Sequence, residues 1–133
     1  MSGRVPHPMV RWLAPAAMMV AIFWFSAQPF DGGELAWWEV AGRNLGHFTG
    51  YALLAAAWAW ALAGKPRWWP ALAAALSLAY AISDEYHQTF VEGRSGTWED
   101  VVIDGLGIAA ALVMIRIRSR RRRGSSEPHP VEA

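Results

Sequence analysis

Residues 45–63 read LGHFTGYALLAAAWAWALA and contain no Asp, Glu, Lys or Arg. A helix on the surface of a soluble bundle carries a polar stripe toward water, and YALLAAAWAWALA (51–63) offers none. Three further runs, 12–27, 68–83 and 101–117, are nearly free of charge. Because roughly 17 to 25 apolar residues cross a hydrocarbon layer, such runs are typical of membrane helices. The sequence predicts an all-α integral membrane bundle of four transmembrane helices, with a soluble helical bundle as the disfavoured alternative.

The chain of 133 residues suffices for one small domain. We assign 1–117 to the membrane domain and 118–133 to a basic, disordered cytoplasmic tail. The arginines of this tail directly follow the fourth run, where anionic lipid explains them better than nucleic acid does. The first run resembles a cleaved signal, but Phe25 occupies a position of the only plausible cleavage site that requires a small residue. We therefore interpret this run as a membrane helix. The absence of cysteine excludes disulfides and thiolate chemistry.

Basic residues near the ends of the runs predict the orientation of the helices. These residues are Arg4, Arg11, Lys65, Arg67 and the six arginines between positions 116 and 123. Lys and Arg near helix ends favour the cytoplasmic side. We therefore expect a multi-pass protein of the cell membrane with both termini in the cytoplasm, and with the connections 28–44 and 84–100 outside.

Polar side chains collect at the outer ends of the four predicted helices. Up-down-up-down threading brings these ends to one membrane face, and 84–100 alone holds five of the eleven carboxylates. An ionisable residue inside an apolar helix is costly unless it faces the bundle interior, a partner or water. The chain is thus predicted to form one outward polar pocket, whose candidate residues are Gln28, Asn44, His47, Tyr51, Asp84, Glu85, His87, Gln88, Arg94, Asp100 and Asp104.

Several of these residues also have a purely structural interpretation. Asp100 suits a helix N-terminus through the helix dipole, and a lone His47 could be a hydrogen-bonded packing residue. The glycines near His47 and Asp104 favour close helix packing over a ligand site. Arg94 could close its loop by pairing with Asp84, Glu85 or Asp100 instead of binding a ligand.

Four segments together resemble the VanZ-like membrane proteins. They are FWFSAQ (23–28), NLGHFTGYALL (44–54), DEYHQTFVEGRSGTWED (84–100) and DVVIDGLG (100–107). The resemblance covers roughly residues 20–112. Two positions depart from the family pattern: Asn44, beside Arg43, stands where a Lys often precedes the histidine, and Asp104 stands where Asn is common. The second departure adds a carboxylate near Asp100.

The resemblance implies a bacterial envelope protein associated with low-level resistance to lipid-bearing glycopeptide antibiotics of the teicoplanin type. It implies no established reaction. Our first functional hypothesis is a pocket that binds a polar or anionic headgroup of a membrane lipid, such as a cell-wall lipid or a lipopeptide. Arg43 and Arg94 would supply the cations for this headgroup.

The alternative is a membrane-embedded hydrolase in which a carboxylate and a His act as acid and base on a lipid-linked substrate. No nucleophile motif, phosphate loop or HExxH signature supports it. We predict no metal site and name no cofactor, although Asp84, His87 and Asp104 with His47 would form a possible ligand set. Transport is the least favoured function, since four short helices leave little room for alternating access. The sequence does not indicate an oligomeric state.

Overall fold

The computed structural model describes residues 8–31, 33–65 and 67–124. Within these ranges the chain forms four α-helices and no strand, which confirms the predicted all-α class with four helices. The helices are α1 (Pro8–Ser26), α2 (Trp37–Ala61), α3 (Trp69–Gln88) and α4 (Trp98–Gly124).

The helices extend beyond the apolar runs that predicted them. Helix α2 begins at Trp37 rather than at residue 45, and the Glu39 carboxylate accepts a hydrogen bond of 2.8 Å from the Ala36 backbone N–H just before it. Such a contact satisfies one of the free N–H groups at a helix start. Helix α4 continues to Gly124, so residues 118–124 of the predicted tail are helical. The remainder of that tail, 125–133, lies outside the described residues.

Successive helices run antiparallel around α2, which packs against all three others and most extensively against α4. At one end of the bundle, the Arg11 guanidinium at the start of α1 donates to the Ala63 carbonyl after α2, at 3.5 Å. At the other end, Ser26 of α1 reaches Asp84 of α3. Up-down threading therefore brings the end of α1, the early part of α2, the end of α3 and the start of α4 together.

The core is small and lies mostly on α2. Its buried members are Tyr51, Leu54, Ala55, Ala81 and Ile108. Leu54 and both alanines are completely inaccessible to solvent. The two alanines let the helices approach closely, as is common where helices pack without a large apolar core.

Two glycines permit close backbone contacts. A side chain at Gly107 of α4 would overlap the Phe48 carbonyl group of α2, so this crossing requires glycine. Gly93 adopts φ 75°, in the left-handed region that favours glycine, and a Cβ there would overlap the Phe30 carbonyl. The Phe30 N–H also donates to the Glu92 carbonyl at 3.1 Å. These contacts hold the α1–α2 and α3–α4 connections against each other.

Among the described helices, only α1 is long and apolar enough, over Met9–Ser26, to cross a membrane by length and composition. The other three described helices do not meet this condition.

Candidate functional site

The centre of the polar cluster is His47 of α2, which meets carboxylates from two other helices. Its Nδ1 lies 3.0 Å from Asp104 Oδ1 of α4 and 3.7 Å from Glu85 Oε1 of α3. Asp104 is completely buried, and the side chains of His47 and Glu85 are 11% and 6% exposed. The residues that the sequence predicted to converge at His47 thus include both of these carboxylates.

Asp84 lies beside this centre and has hydrogen-bond partners of its own. The Ser26 hydroxyl donates to Asp84 Oδ1 at 2.5 Å, and Gln88 Nε2 donates to Asp84 Oδ2 at 3.2 Å. The same Gln88 nitrogen lies 3.1 Å from Glu85 Oε1. Gln88 therefore links the two adjacent carboxylates of α3.

The angular positions of these residues on α3 explain which of them meet. Consecutive helical residues are rotated by about 100°, so Gln88 lies between Asp84 and Glu85 on the helix circumference. His87 lies about 60° to the other side of Asp84 and points toward α1 instead. Its ring packs on Phe23, with centroids 4.5 Å apart.

Thr97 fixes the start of α4 to the end of α3. Its backbone N–H donates to Glu85 Oε2 at 3.0 Å, and its hydroxyl accepts from the Asp100 N–H at 3.3 Å. A threonine before a helix that bonds the third following N–H is a common N-terminal cap. Asp100, 3% exposed, is thereby positioned at the edge of the cluster.

Two arginines border the cluster, and they differ in their contacts. Arg43 Nη2 lies 3.6 Å from Asp100 Oδ2, and its side chain is 39% exposed. Arg94 instead donates from Nε to the Gln28 carbonyl at 2.8 Å and from Nη2 to the Phe25 carbonyl at 3.0 Å. Its Nη1 lies 3.4 Å from Gln88 Oε1. The ion pairs of Arg94 that the sequence left open are not found among the described residues.

Four predicted residues lie outside the hydrogen-bonded cluster, namely Gln28, Asn44, His87 and Tyr51, the last of which lines the cavity described below. Gln28 is exposed, and its side chain donates to the Trp24 carbonyl at 2.9 Å, so it meets Arg94 only through its backbone. Asn44 Oδ1 and His87 Nδ1 are buried without a hydrogen-bond partner in the described part of the chain. The metal set that combined Asp84 and His87 with His47 and Asp104 does not assemble, because His87 points toward Phe23.

A small cavity adjoins the cluster between α1, α2 and α3. Its volume is about 80 Å³, and its walls include Ser26, His47, Tyr51 and Asp84. A water molecule occupies about 30 Å³ of liquid, so this space suits a few waters and no larger ligand. Tyr51 is 1% exposed, and its hydroxyl has no hydrogen-bond partner within the described residues.

A larger groove opens on the other side of the cluster, between the α1–α2 and α3–α4 connections. It encloses about 540 Å³. Its walls are formed by Phe30, Gly33, Leu35, Glu39, Arg43, Gln88, Gly93, Arg94 and Ser95. We call it the headgroup groove, after the ligand proposed for it below. Its volume falls within the range of about 300 to 1,000 Å³ that is usual for small-molecule sites. Arg43 and Gln88 belong to both the groove wall and the cluster.

The sequence reasoning missed two residues that shape these sites. Thr97 could have been recognised from the sequence. It lies three residues before Asp100, and a Thr-x-x-Asp pattern ahead of an apolar run is a capping signal. Glu39 was assigned to a connection and not to a helix, and nothing in its immediate neighbours indicated a groove wall.

The arrangement places buried carboxylate oxygens and an imidazole nitrogen beside a groove that has two arginines in its wall. Buried carboxylates beside an imidazole can exchange a proton or coordinate a cation. An exposed guanidinium can form forked hydrogen bonds to a phosphate or carboxylate. The site is therefore suited to an anionic ligand, with acid, base or metal-binding groups directly behind it.

Comparison with known proteins identifies the family. No curated protein matches the chain. No solved structure matches it. A sequence model described as VanZ/LLP1 matches residues 10–119, which include α2 and α3, most of α1 and α4, and the whole polar cluster. The chain therefore belongs to the VanZ family.

Proposed function

We propose that the chain is a multi-pass membrane protein of the bacterial envelope whose headgroup groove binds the anionic headgroup of a lipid on the outer face. The observation that carries this proposal is the groove of about 540 Å³ with Arg43 and Arg94 in its wall. The ligand would be a membrane lipid, and the cell-wall lipids and lipopeptides are the classes we favour. No nucleic-acid partner is proposed.

The distribution of apolar side chains supports membrane insertion of the whole bundle. Large apolar residues on α1 and α4 are more than half exposed, among them Leu13, Val20, Phe25, Leu106 and Val113. Large apolar side chains exposed in this number are unusual for a soluble monomer. The buried cluster, by contrast, faces the interior of the bundle, where charged groups in membrane proteins are normally found.

The absence of cysteine makes the proposed orientation directly testable. We expect Glu92→Cys, in the α3–α4 connection, to react with a membrane-impermeant maleimide in intact right-side-out vesicles. Lys65→Cys, in the α2–α3 connection, should react only after the vesicles are permeabilised, because basic connections stay on the cytoplasmic side. Unmodified protein is the background control. Equal labelling of both positions in intact vesicles would contradict the four-span arrangement.

Binding at the groove predicts a specific role for Arg43. Replacing it by Gln should weaken binding of dioctanoyl phosphatidylglycerol to the detergent-solubilised protein about tenfold, since hydrogen bonds to charged groups contribute about 1.5 to 3 kcal/mol. Microscale thermophoresis measures this affinity, and dioctanoyl phosphatidylcholine tests whether the lipid's net charge matters.

Arg67→Gln is the matched control for Arg43→Gln. Arg67 carries the same charge and is exposed, but it lies in the connection at the other end of the bundle. We expect it to leave the phosphatidylglycerol affinity unchanged. The proposal fails if both variants lose the same affinity, which would indicate nonspecific charge attraction, or if Arg43→Gln binds like the wild type.

The glycopeptide resistance implied by the family resemblance would then arise at the same groove. A lipid-linked envelope component with a phosphate headgroup would present an anionic group next to a hydrocarbon chain. An outward groove with a guanidinium in its wall can recognise that combination.

A second candidate function, hydrolysis of a lipid-linked substrate, is favoured by one contact. His47 Nδ1 lies 3.0 Å from the buried Asp104 carboxylate, and His47 also borders the cavity of about 80 Å³. A carboxylate that orients an imidazole is a recurring arrangement for general-base activation of water. In this alternative His47 would activate a water in the cavity, and the bond to be cleaved would have to reach that cavity rather than the headgroup groove on the other side of the cluster.

A further inference from the structure

Three helices each contribute one potential metal ligand to a single point at the centre of the cluster. The residues are His47 of α2, Glu85 of α3 and Asp100 of α4. One ligand atom from each of them lies within 4.8 Å of the others. Ligand atoms about 2.1 Å from a common ion are at most about 4.2 Å apart, so small side-chain movements would bring all three into contact with one ion.

Asp104 gives a second and independent indication of a cation. It is completely buried, and its Oδ2 has no hydrogen-bond partner among the described residues. Its other oxygen lies 3.0 Å from His47 Nδ1, so the carboxylate borders the same point. Two ligand atoms at right angles around an ion, each about 2.1 Å from it, are separated by about 3 Å. Asp104 therefore lies directly beside the set of three ligands, although its oxygens are not among the atoms that all lie within 4.8 Å of one another.

The charge balance of the cluster also favours a bound cation. Its four carboxylates, Asp84, Glu85, Asp100 and Asp104, are each at most 5% exposed. The positive partners found within 4 Å of them in the described residues are Arg43, beside Asp100, and His47 when it is protonated. Buried carboxylates are costly unless they are paired or coordinate a metal. A divalent ion would offset two of these charges at the position where Glu85 and Asp100 meet His47.

Neighbouring groups already orient the prospective ligands. The Thr97 N–H holds Glu85 Oε2 at 3.0 Å, and Gln88 Nε2 lies 3.1 Å from Glu85 Oε1. The Thr97 hydroxyl caps the N–H of Asp100. Hydrogen bonds of this kind fix the direction of metal-binding carboxylates in known metal sites.

We propose that His47, Glu85 and Asp100, with Asp104 beside them, bind one divalent transition-metal ion, with Zn²⁺ or Mn²⁺ as the expected occupant. One imidazole with carboxylate oxygens suits these ions better than Mg²⁺ or Ca²⁺, which prefer oxygen ligands alone. The site goes beyond the proposed headgroup binding, although it shares Arg43 and Gln88 as neighbours with the groove. An ion there would lie behind Arg43 and Gln88, which line the groove, and would add positive charge behind the headgroup.

The test uses the full chain purified in detergent with a tag free of histidine. Metal content is measured by mass spectrometry before and after chelation, followed by titration of the stripped protein with ZnCl₂, MnCl₂, MgCl₂ and CoCl₂. We expect about one Zn²⁺ or Mn²⁺ per chain, a higher melting temperature with that ion, and visible absorption bands on Co²⁺ binding. His47→Gln, Glu85→Gln and Asp100→Asn should each lower the affinity about tenfold or more.

His87→Gln is the matched control, because His87 lies one residue from Gln88 but packs on Phe23 outside the cluster. It should bind metal as the wild type does. Circular dichroism identifies any variant that fails to fold, and the wild-type titration tests the proposal without variants. The proposal is wrong if the folded wild type neither retains nor takes up Zn²⁺ or Mn²⁺, or if His87→Gln loses as much affinity as His47→Gln. Phosphatidylglycerol binding to the metal-free protein separates this failure from a failure of the headgroup groove.

Discussion

Replacing Gly107 by Ala is expected to destabilise the protein by about 1 to 3 kcal/mol, because the new methyl group would enter the space of the Phe48 carbonyl. The atoms that it meets belong to the backbone of α2, so no side-chain rotation relieves the overlap. The contact between α2 and α4 is the most extensive in the bundle. It also sets the distance between His47 and Asp104. We expect a lower midpoint of thermal unfolding in detergent and a weakened polar cluster.

Gly105→Ala is the control for this prediction. Gly105 lies on the same helix two positions earlier, and a Cβ there would have no neighbour within 4 Å. Because Ala is the better helix former, this change should be neutral or stabilising by up to about 1 kcal/mol. Opposite effects of the two substitutions would support the close approach of α2 and α4. A Gly107→Ala protein that melts at or above the wild-type temperature would show that the two helices are further apart.

The apolar runs were sufficient to predict four helices, but not where the helices start and end. The reason is that hydrophobicity marks the part of a helix surrounded by apolar groups, while hydrogen bonding continues into polar turns. Helix α2 begins at Trp37, and its first eight residues, WWEVAGRN (37–44), bring charged side chains into the helix ahead of the apolar run. Helix α4 likewise continues through its arginines to Gly124.

The sequence also predicted which ends of the helices meet, because antiparallel threading fixes it. Asp84, Glu85, Gln88 and Asp104 came together with His47 as expected. His87 did not, because it follows Asp84 by three residues whereas Gln88 follows it by four. The two offsets fall on opposite sides of Asp84, about 100° apart. Helical spacing alone leaves open which side faces the bundle.

The partners of Arg94 could not be predicted from the sequence. The sequence leaves two roles open for Arg94, binding an anionic ligand or closing its loop through an ion pair with a nearby carboxylate. In the structure, its guanidinium bonds the backbone carbonyls of Phe25 and Gln28, which are available because α1 ends there. Free carbonyls at a helix C-terminus are strong acceptors. The availability of such carbonyls depends on where a helix ends and not on residue type, so it cannot be predicted from the side chains alone.

Arg94→Lys is therefore expected to destabilise the protein by about 1 to 2 kcal/mol even though it preserves the charge. Lys lacks the planar fork that reaches two carbonyls at once. Hydrogen bonds to a charged group contribute about 1.5 to 3 kcal/mol, and water at this partly exposed position would replace part of that. The change should lower the midpoint of thermal unfolding and loosen the α1–α2 connection, measured as faster amide hydrogen exchange around Phe30.

Arg43→Lys separates this structural role from ligand binding. Arg43 lines the same groove but has a single ion-pair contact, at 3.6 Å to Asp100, which Lys can also make. We expect its melting temperature to stay near that of the wild type while its phosphatidylglycerol affinity falls, because Lys does not form the forked contact to phosphate. The reverse pattern would exchange the two roles. If Arg94→Lys melts like the wild type and loses lipid affinity, Arg94 is the principal headgroup ligand and its bonds to Phe25 and Gln28 contribute little to stability.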